Sequence, residues 1–214
     1  MIGEFIVVAV VAYLLGSIPF GLIIGKLKRG VDIREHGSGK TGATNVMRTV
    51  GTKLGVLTLV LDVGKATAAV ILATVIIGAD NGMSVIGGVP VYWQHAAQVV
   101  AGLAAVAGHN WPVFARFKGG RGVTAYFGTL LAIYPPAGIF GAQVVAITAL
   151  RSRHMSLGSI LGALAALCLM IPLTIVYSFP PVYLAYCSIV VALLIFQHLD
   201  NIKRLRQGTE RRLW

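Results

Sequence analysis

The stretch AGHNWPVFARFKGGRG, residues 107–122, is a polar, glycine-rich island set between two long apolar runs. Within it Lys118 and Arg121 bracket Gly119 and Gly120, and Gly122 follows. Glycines at this density let backbone N–H groups turn toward one point, and the flanking cations add positive charge there. Such a loop suits an oxygen-rich anion such as a phosphate. A second island of the same character, GSGKTGATNVMR at residues 37–48, is expected to face the first.

The runs on either side decide the fold class. The chain is 57% hydrophobic and 12% charged, with a mean hydropathy of +0.82. A soluble domain carries about a quarter of its residues as charged types. The apolar residues also come in runs of roughly 15 to 25, the length that crosses lipid. The chain therefore reads as an all-α polytopic integral membrane protein, with residues 1–214 forming a single transmembrane domain. Its 26 glycines predict helices packed closely through small faces.

A net charge of +11 raises the question of nucleic acid, but the cations sit at the ends of apolar runs, where they set orientation, so no nucleic-acid partner is implied. Cys168 and Cys187 lie within apolar runs without metal-ligand spacing, and no metal site, disulfide or cofactor is expected. Glu4 stands where a secretory leader would carry Lys or Arg.

Charge placement predicts about seven transmembrane helices, over residues 5–25, 54–78, 92–107, 123–134, 137–150, 156–177 and 182–196. Basic loops stay inside, which puts residues 26–53, the 107–122 island, residues 151–154 and the tail from His198 in the cytoplasm, and the N-terminus outside. Residues 79–90 form an outer loop without Lys or Arg, and Pro135-Pro136 and Pro180-Pro181 mark the other outer turns. Only Lys65 then lies inside a span. The fourth and fifth spans are short for a bilayer, so a re-entrant pair and five full crossings are the variant scheme. Pro19 is expected to kink the first span, on which Ser17, Gly21 and Gly25 recur every fourth residue as a small packing face. The repeated Leu-Gly-Ser-Ile at residues 15–18 and 157–160 reads as two packing faces.

Gly39-Lys40-Thr41 resembles the end of a nucleotide P-loop, but the required glycine five residues before Gly39 is Arg34. What remains is a loop of hydroxyls, amide and cations, with Ser38, Thr44, Asn45 and Arg48 as candidates for an anionic ligand. Asp62 and Lys65, three apart on one helix face, are costly in hydrocarbon unless paired or facing a hydrated cavity. His109 reads as a hydrogen-bonded structural group beside a span. His198 and Asn201 share a helical face and converge, and Glu210 pairs with or orients a cation.

Taken together these motifs resemble the bacterial PlsY family, the glycerol-3-phosphate acyltransferases that use acyl phosphate. The resemblance rests on Gly16 to Gly21, Gly37-Ser38-Gly39 with Gly42 to Val46 and Arg48, Asp62 and Lys65, and Gly108-His109 with Pro112, Phe114 and Phe117 to Gly120. It continues through Ser156 to Ser159, then His198, Asn201, Ile202, Arg204, Leu205, Gly208, Thr209 and Glu210, and so covers nearly the whole chain in order. It implies a single acyltransferase domain in the bacterial inner membrane with its site facing the cytoplasm. The reaction implied moves a fatty acyl group from acyl phosphate to the sn-1 hydroxyl of glycerol 3-phosphate, giving lysophosphatidic acid and inorganic phosphate. By position, Ser38 and Arg48 are the essential pair of the first motif, and Lys118, Gly119 and Gly120, with Arg121 and Gly122, form the glycerol-phosphate loop. His198, Asn201 and Glu210 match the third motif. The chain departs from the family at Lys40, where Asn is common, at Arg121, which replaces a Lys, and at Leu199, which replaces an Arg.

The chemistry also follows from the residues. Two phosphate substrates need two anion sites, and two cation-and-glycine islands are present. An acyl phosphate is already activated, so the demand is to hold the hydroxyl against the carbonyl carbon and stabilise the oxyanion. No histidine lies four residues before an aspartate, which leaves His198 and the substrate's own phosphate as the bases to weigh. The competing reading is an organic-phosphate transporter, which suits broken spans and an intramembrane ion pair but not polar islands gathered on one face.

Overall fold

The computed structural model describes residues 2–78, 82–86 and 89–213. Ten α-helices account for most of them: α1 (Ile2–Gly16), α2 (Phe20–Arg29), α3 (Ala43–Thr49), α4 (Thr52–Ile77), α5 (Trp93–Asn110), α6 (Val123–Ile133), α7 (Pro135–Ser152), α8 (Met155–Val176), α9 (Pro181–Gln197) and α10 (Leu199–Arg206). The sequence places every apolar helix to within a few residues. The expected outer loop is only partly visible as such. Met83–Ile86 and Val89–Tyr92 pair as an antiparallel hairpin, while residues 79–81 and 87–88 lie outside the described residues.

Among the described residues three helical stretches are long and apolar enough to cross a bilayer by themselves: Ile2–Arg29, Thr52–Ile77 and Met155–Val176. Pro181–Gln197 and Leu199–Arg206 form a further candidate, bent by 57° between them. At 11 residues α6 is about 16 Å long, roughly half a hydrocarbon core. It starts at Gly122, whose φ of 85° is a left-handed conformation that favours glycine, and it stops where Pro135 and Pro136 open α7.

The glycines do the packing expected of them. A Cβ on Gly16 would run into the Ala105 carbonyl oxygen, and one on Gly108 into that of Tyr13, so α1 and α5 touch backbone to backbone. Gly141 and Gly162 do the same for α7 and α8, where added Cβ atoms would stand 2.8 and 2.6 Å from the partner's carbonyl oxygen. Gly16 and Gly158, the two glycines of the repeated Leu-Gly-Ser-Ile, both mark close helix contacts. The expected face of Ser17, Gly21 and Gly25 is divided, however. The chain leaves helix between Gly16 and Phe20, so Gly21 and Gly25 pack on residues 31–46 while Ser17 sits buried at the break.

That break frees backbone groups, and hydrocarbon offers no water to take them. Lys65, reaching across from α4, donates its ammonium to the Ile18 carbonyl at 2.7 Å. Its charge is balanced by Asp62 Oδ1 at 2.8 Å, and both side chains are almost fully buried. The pair thus closes the break in the first span, a contact that the spacing of Asp62 and Lys65 alone does not reveal. Removing one member leaves the other charge buried and alone, at a cost of about 3–5 kcal/mol, whereas removing both leaves none. Lys65→Met is therefore expected to lower the thermal unfolding midpoint in detergent sharply. Asp62→Asn with Lys65→Met should lose much less than the two single changes together; additive losses would show that the pair does not act as one unit.

Candidate functional site

The two islands meet. Thr41 N donates to the Gly119 carbonyl at 3.4 Å, and the Arg34 guanidinium donates to the Ala115 carbonyl at 3.0 Å. Arg34 is itself held by Asp32, with carboxylate oxygens 2.9 and 2.6 Å from its nitrogens. Those hydrogen bonds hold the Asp32 carboxyl down at about 2. The residue that ruled out a P-loop is thus the strut between the loops.

Within the first island Asn45 sets the shape. Its side-chain nitrogen donates to the carbonyls of Ile33, His36 and Lys40 at 2.7, 3.1 and 2.9 Å, and its oxygen accepts from Ser38 N at 2.8 Å. With its carboxamide so engaged, Asn45 has no N–H left for a phosphate. In this structure those bonds fold the loop that presents Ser38, and Asn45 also stands in the wall of the cavity between the islands. Gly37 is required beside it, because a Cβ there would strike Asn45 Oδ1 and its φ of 58° is left-handed. In the second island Gly120 N donates to the His109 carbonyl at 3.0 Å, and a Cβ on Gly120 would strike the His109 ring. The glycine loop therefore lies flat against the end of α5.

Between the islands opens a cavity of about 650 Å3. Its polar end carries Ser38, Lys40, Thr44, Arg48, His109, Gly120, Arg121, Ser156, His198, Asn201, Arg204, Glu210 and Arg211. The rest is largely apolar, with Thr124 and Gln143 as polar exceptions, and runs between α4, α6 and α7, past Leu59, Val63, Phe127, Leu131, Ile139 and Val145. Burial pushes the guanidinium pKa of both Arg48 and Arg121 below the ordinary value. The Nε atoms of both are buried without a partner. Among the described residues these are donors waiting for an acceptor.

Lys118 and Gly119 do not line that cavity. They wall a neighbouring one of about 230 Å3, together with Gly39, Lys40, Asn110, Trp111, Phe117 and Gln197. Lys40 borders both, and the cavities adjoin again at Gly119–Gly120 and Gln197–His198. Gly122 stands at the start of α6 rather than in a wall. Asp62 and Lys65 lie behind the site, where Asp62 Oδ1 is 3.7 Å from His109 Nδ1.

His198 is buried at the break between α9 and α10. Its Nδ1 lies 2.8 Å from the Leu194 carbonyl, which can only accept, so Nδ1 carries the proton and Nε2 keeps a free lone pair. Burial pushes the imidazole down to about 4, so it is neutral at physiological pH. Asn201 donates to Glu210 Oε1 at 2.6 Å, and Ser156 and Arg204 complete that carboxylate's shell at 2.9 and 2.8 Å. Burial raises the Glu210 carboxyl, but these hydrogen bonds outweigh it and hold it below the usual range. The tail then crosses to the first island: Arg48 Nη2 donates to the carbonyls of Arg211 and Arg212 at 3.4 and 3.3 Å, and Arg211 donates to that of Gly37.

The sequence-predicted residues thus gather at one end of the helices, with Lys118 and Gly119 set one cavity aside. Lys40, Ser156, Arg204 and Arg211 were not singled out as site residues. Lys40 and Ser156 lay in motifs already read, whereas nothing in the basic tail distinguished Arg211 from its neighbours.

A family model described as glycerol-3-phosphate acyltransferase matches residues 6–208. A glycerol-3-phosphate acyltransferase 3 of Dehalococcoides mccartyi (strain ATCC BAA-2266) is 47% identical over 219 residues, covering 100% of this chain and 97% of the relative. A glycerol-3-phosphate acyltransferase of Rhodopseudomonas palustris (strain BisB5) is 38% identical over 213 residues, covering 100% and 98%. Among solved structures, PlsY (YgiH), an integral membrane glycerol 3-phosphate acyltransferase, is similar in its glycerol 3-phosphate form with a TM-score of 0.82 at 38% identity, over 97% of this chain and 94% of that one. Its lysophosphatidic acid form gives a TM-score of 0.81 at the same coverage.

The low proton affinity of His198 is testable through stability. Between its ordinary pKa of 6.5 and about 4, the unfolded chain protonates this residue and the folded chain does not. Stability is therefore full above pH 6.5 and falls as the pH is lowered through that window. His198→Asn lacks this term, so its unfolding midpoint should fall less than wild type's over the same range; parallel curves would contradict a buried neutral imidazole.

Proposed function

The chain belongs to the glycerol-3-phosphate acyltransferase family, and from that membership we propose an acyl-phosphate-dependent reaction carried by the cavity between its two islands. The protein is a bacterial membrane acyltransferase that acylates glycerol 3-phosphate. Acyl phosphate as donor, and the roles of individual residues, are our reading. One observation supports it above the others: a cationic polar head joins an apolar groove, and a neutral histidine stands beside the junction.

In this reading the acyl chain lies along Leu59, Val63, Phe127, Leu131 and Ile139. Its phosphoryl end meets Ser38, Thr44, Arg48, Gly120 and Arg121, where donors lack partners. Glycerol 3-phosphate places its phosphate in the smaller cavity against Lys118, Gly119 and Lys40, and extends its hydroxyl past Gln197 to His198. Nε2 of His198 takes the hydroxyl proton or aligns it toward the departing phosphate. Asn201 and Glu210 position the tail and Arg204, and Asp62 and Lys65 support His109 behind the glycine loop. No metal or cofactor enters this scheme.

Both islands, His198 and the basic tail share one end, and by the charge rule that end faces the cytoplasm of the inner membrane, with α1–α2 as the first of seven crossings and α4, α5, α6, α7, α8 and α9 as the others. Single cysteines placed at positions 39 and 118 should be blocked by a membrane-impermeant maleimide only in inverted vesicles. Labelling of either in intact cells would reverse the orientation.

Purified protein given palmitoyl phosphate and glycerol 3-phosphate should release inorganic phosphate and form lysophosphatidic acid in equal amounts. Ser38→Ala and Lys118→Ala should each abolish turnover without loss of membrane expression. Wild-type rates in both would remove these roles, and glycerol 3-phosphate exchange across proteoliposomes without acyl transfer would indicate a transporter instead.

A further inference from the structure

Gln143 is out of place on its helix. The exposed residues around it on α7 are Ile139, Phe140 and Ile147, an apolar surface suited to lipid, yet Gln143 carries a carboxamide there. It lines the apolar part of the large cavity. Thr124, near the start of α6, lines the same cavity. Among the described residues neither side chain has a hydrogen-bond partner. An unpaired amide in apolar surroundings is unfavourable, so a position of this kind points to a partner that occupies the groove.

Their height in the groove identifies that partner. The helices α6 and α7 are joined at Tyr134 and pack antiparallel, with Leu131 against Gly138 beside the bend. Thr124 lies ten residues before Tyr134 and Gln143 nine after it, which at 1.5 Å per residue puts each about 14–15 Å from the bend. Both line the cavity, and they therefore stand at about the same level of the groove. On the bend side the walls are apolar; on the other side Arg121 and Gly120 begin the cationic head. Resting on the acyl-phosphate reading above, the atom at that boundary is the acyl carbonyl, one bond from the phosphoryl oxygen and at the root of the chain.

We infer that the Gln143 carboxamide N–H and the Thr124 hydroxyl donate to the acyl carbonyl oxygen and bind the oxyanion formed there. In the step itself, the sn-1 hydroxyl oxygen forms a bond to the carbonyl carbon and the carbonyl π pair moves onto oxygen. Collapse restores the double bond and expels the phosphate oxygen with its electron pair, and the hydroxyl proton ends on the released inorganic phosphate. Donors preplaced at the carbonyl oxygen strengthen as its charge grows, so they act on kcat rather than on binding.

Gln143→Leu, which keeps the volume and suits a lipid-facing helix, should lower kcat by about 10- to 1,000-fold with the KM for glycerol 3-phosphate within about twofold. Thr124→Val should act in the same direction. Wild-type kcat in both, or a loss confined to the KM for palmitoyl phosphate, overturns the assignment. A second readout does not depend on turnover. Palmitoylphosphonate labelled with 13C at its carbonyl should show a lower carbonyl stretching frequency when bound to wild type than to Gln143→Leu, and equal frequencies overturn the inference. Wild-type protein that fails to use palmitoyl phosphate at all would instead remove the donor reading on which this one stands.

Discussion

A carbonyl freed inside a membrane must find a donor, and the Ile18 carbonyl at the break in the first span finds Lys65. The rest of the site is stacked on that bond. The ammonium needs a counter-charge, and Asp62, one turn earlier on α4, supplies it at 2.8 Å. Asp62 in turn lies 3.7 Å from His109, whose ring fills the space that a side chain on Gly120 would need. Gly120 and Arg121 then form the cavity wall. A helix break, an ion pair, a histidine and a glycine loop are thus one continuous contact chain from the bundle interior to the substrate surface. Asp62 and Lys65 hold the shape of the site without lining it.

The electrostatics of the cavity follow from the same economy of acids. Seven Asp and Glu serve eighteen Lys and Arg in the chain, and among the described residues the one carboxylate in the large cavity's wall, Glu210, is already claimed by Ser156, Asn201 and Arg204. Burial disfavours the charges of Arg48, Arg121 and Lys40, and the phosphate proposed to bind among them would relieve that cost. Among these cations a protonated imidazole would be repelled as well as desolvated, which keeps His198 neutral and its Nε2 lone pair free.

How much of this was written in the sequence depends on the range of the interaction. Helix limits are local, set by apolar runs, Pro135-Pro136, Pro180-Pro181 and the glycine islands, and they were legible. The two islands were legible as anion loops because their composition is itself the signal. The role of Asn45 was not, since the same side chain would bind a phosphate or a carbonyl, and only the fold puts three carbonyls around it. Lys118 and Arg121, three apart in a loop, looked like one cluster, but the chain between them passes through Gly119 and Gly120 and the two line different cavities. The hairpin beginning at Met83 was read as loop because its strands are only four residues each. The crossing of the tail to Gly37 spans 174 residues of sequence and has no local mark.

The shortness of α6 ties these strands together. Its 11 residues rise about 16 Å, against about 27 Å for the 18 residues of α7 that start from the same bend. The loop that precedes α6 therefore ends roughly 10 Å short of the level where α7 ends. That recess lodges Gly120 and Arg121 within the bundle rather than on its rim, and the apolar wall of α7 continues alongside them. The donor proposed above, whose chain prefers lipid and whose phosphate prefers cations, could occupy such a place without either part leaving its preferred surroundings. A full-length α6 would lift the glycine loop toward the surface, away from the apolar groove. The shortness that made this helix look deficient as a membrane span is, on the reading proposed above, what would let a water-soluble phosphate and a lipid-borne acyl group meet at one carbon atom.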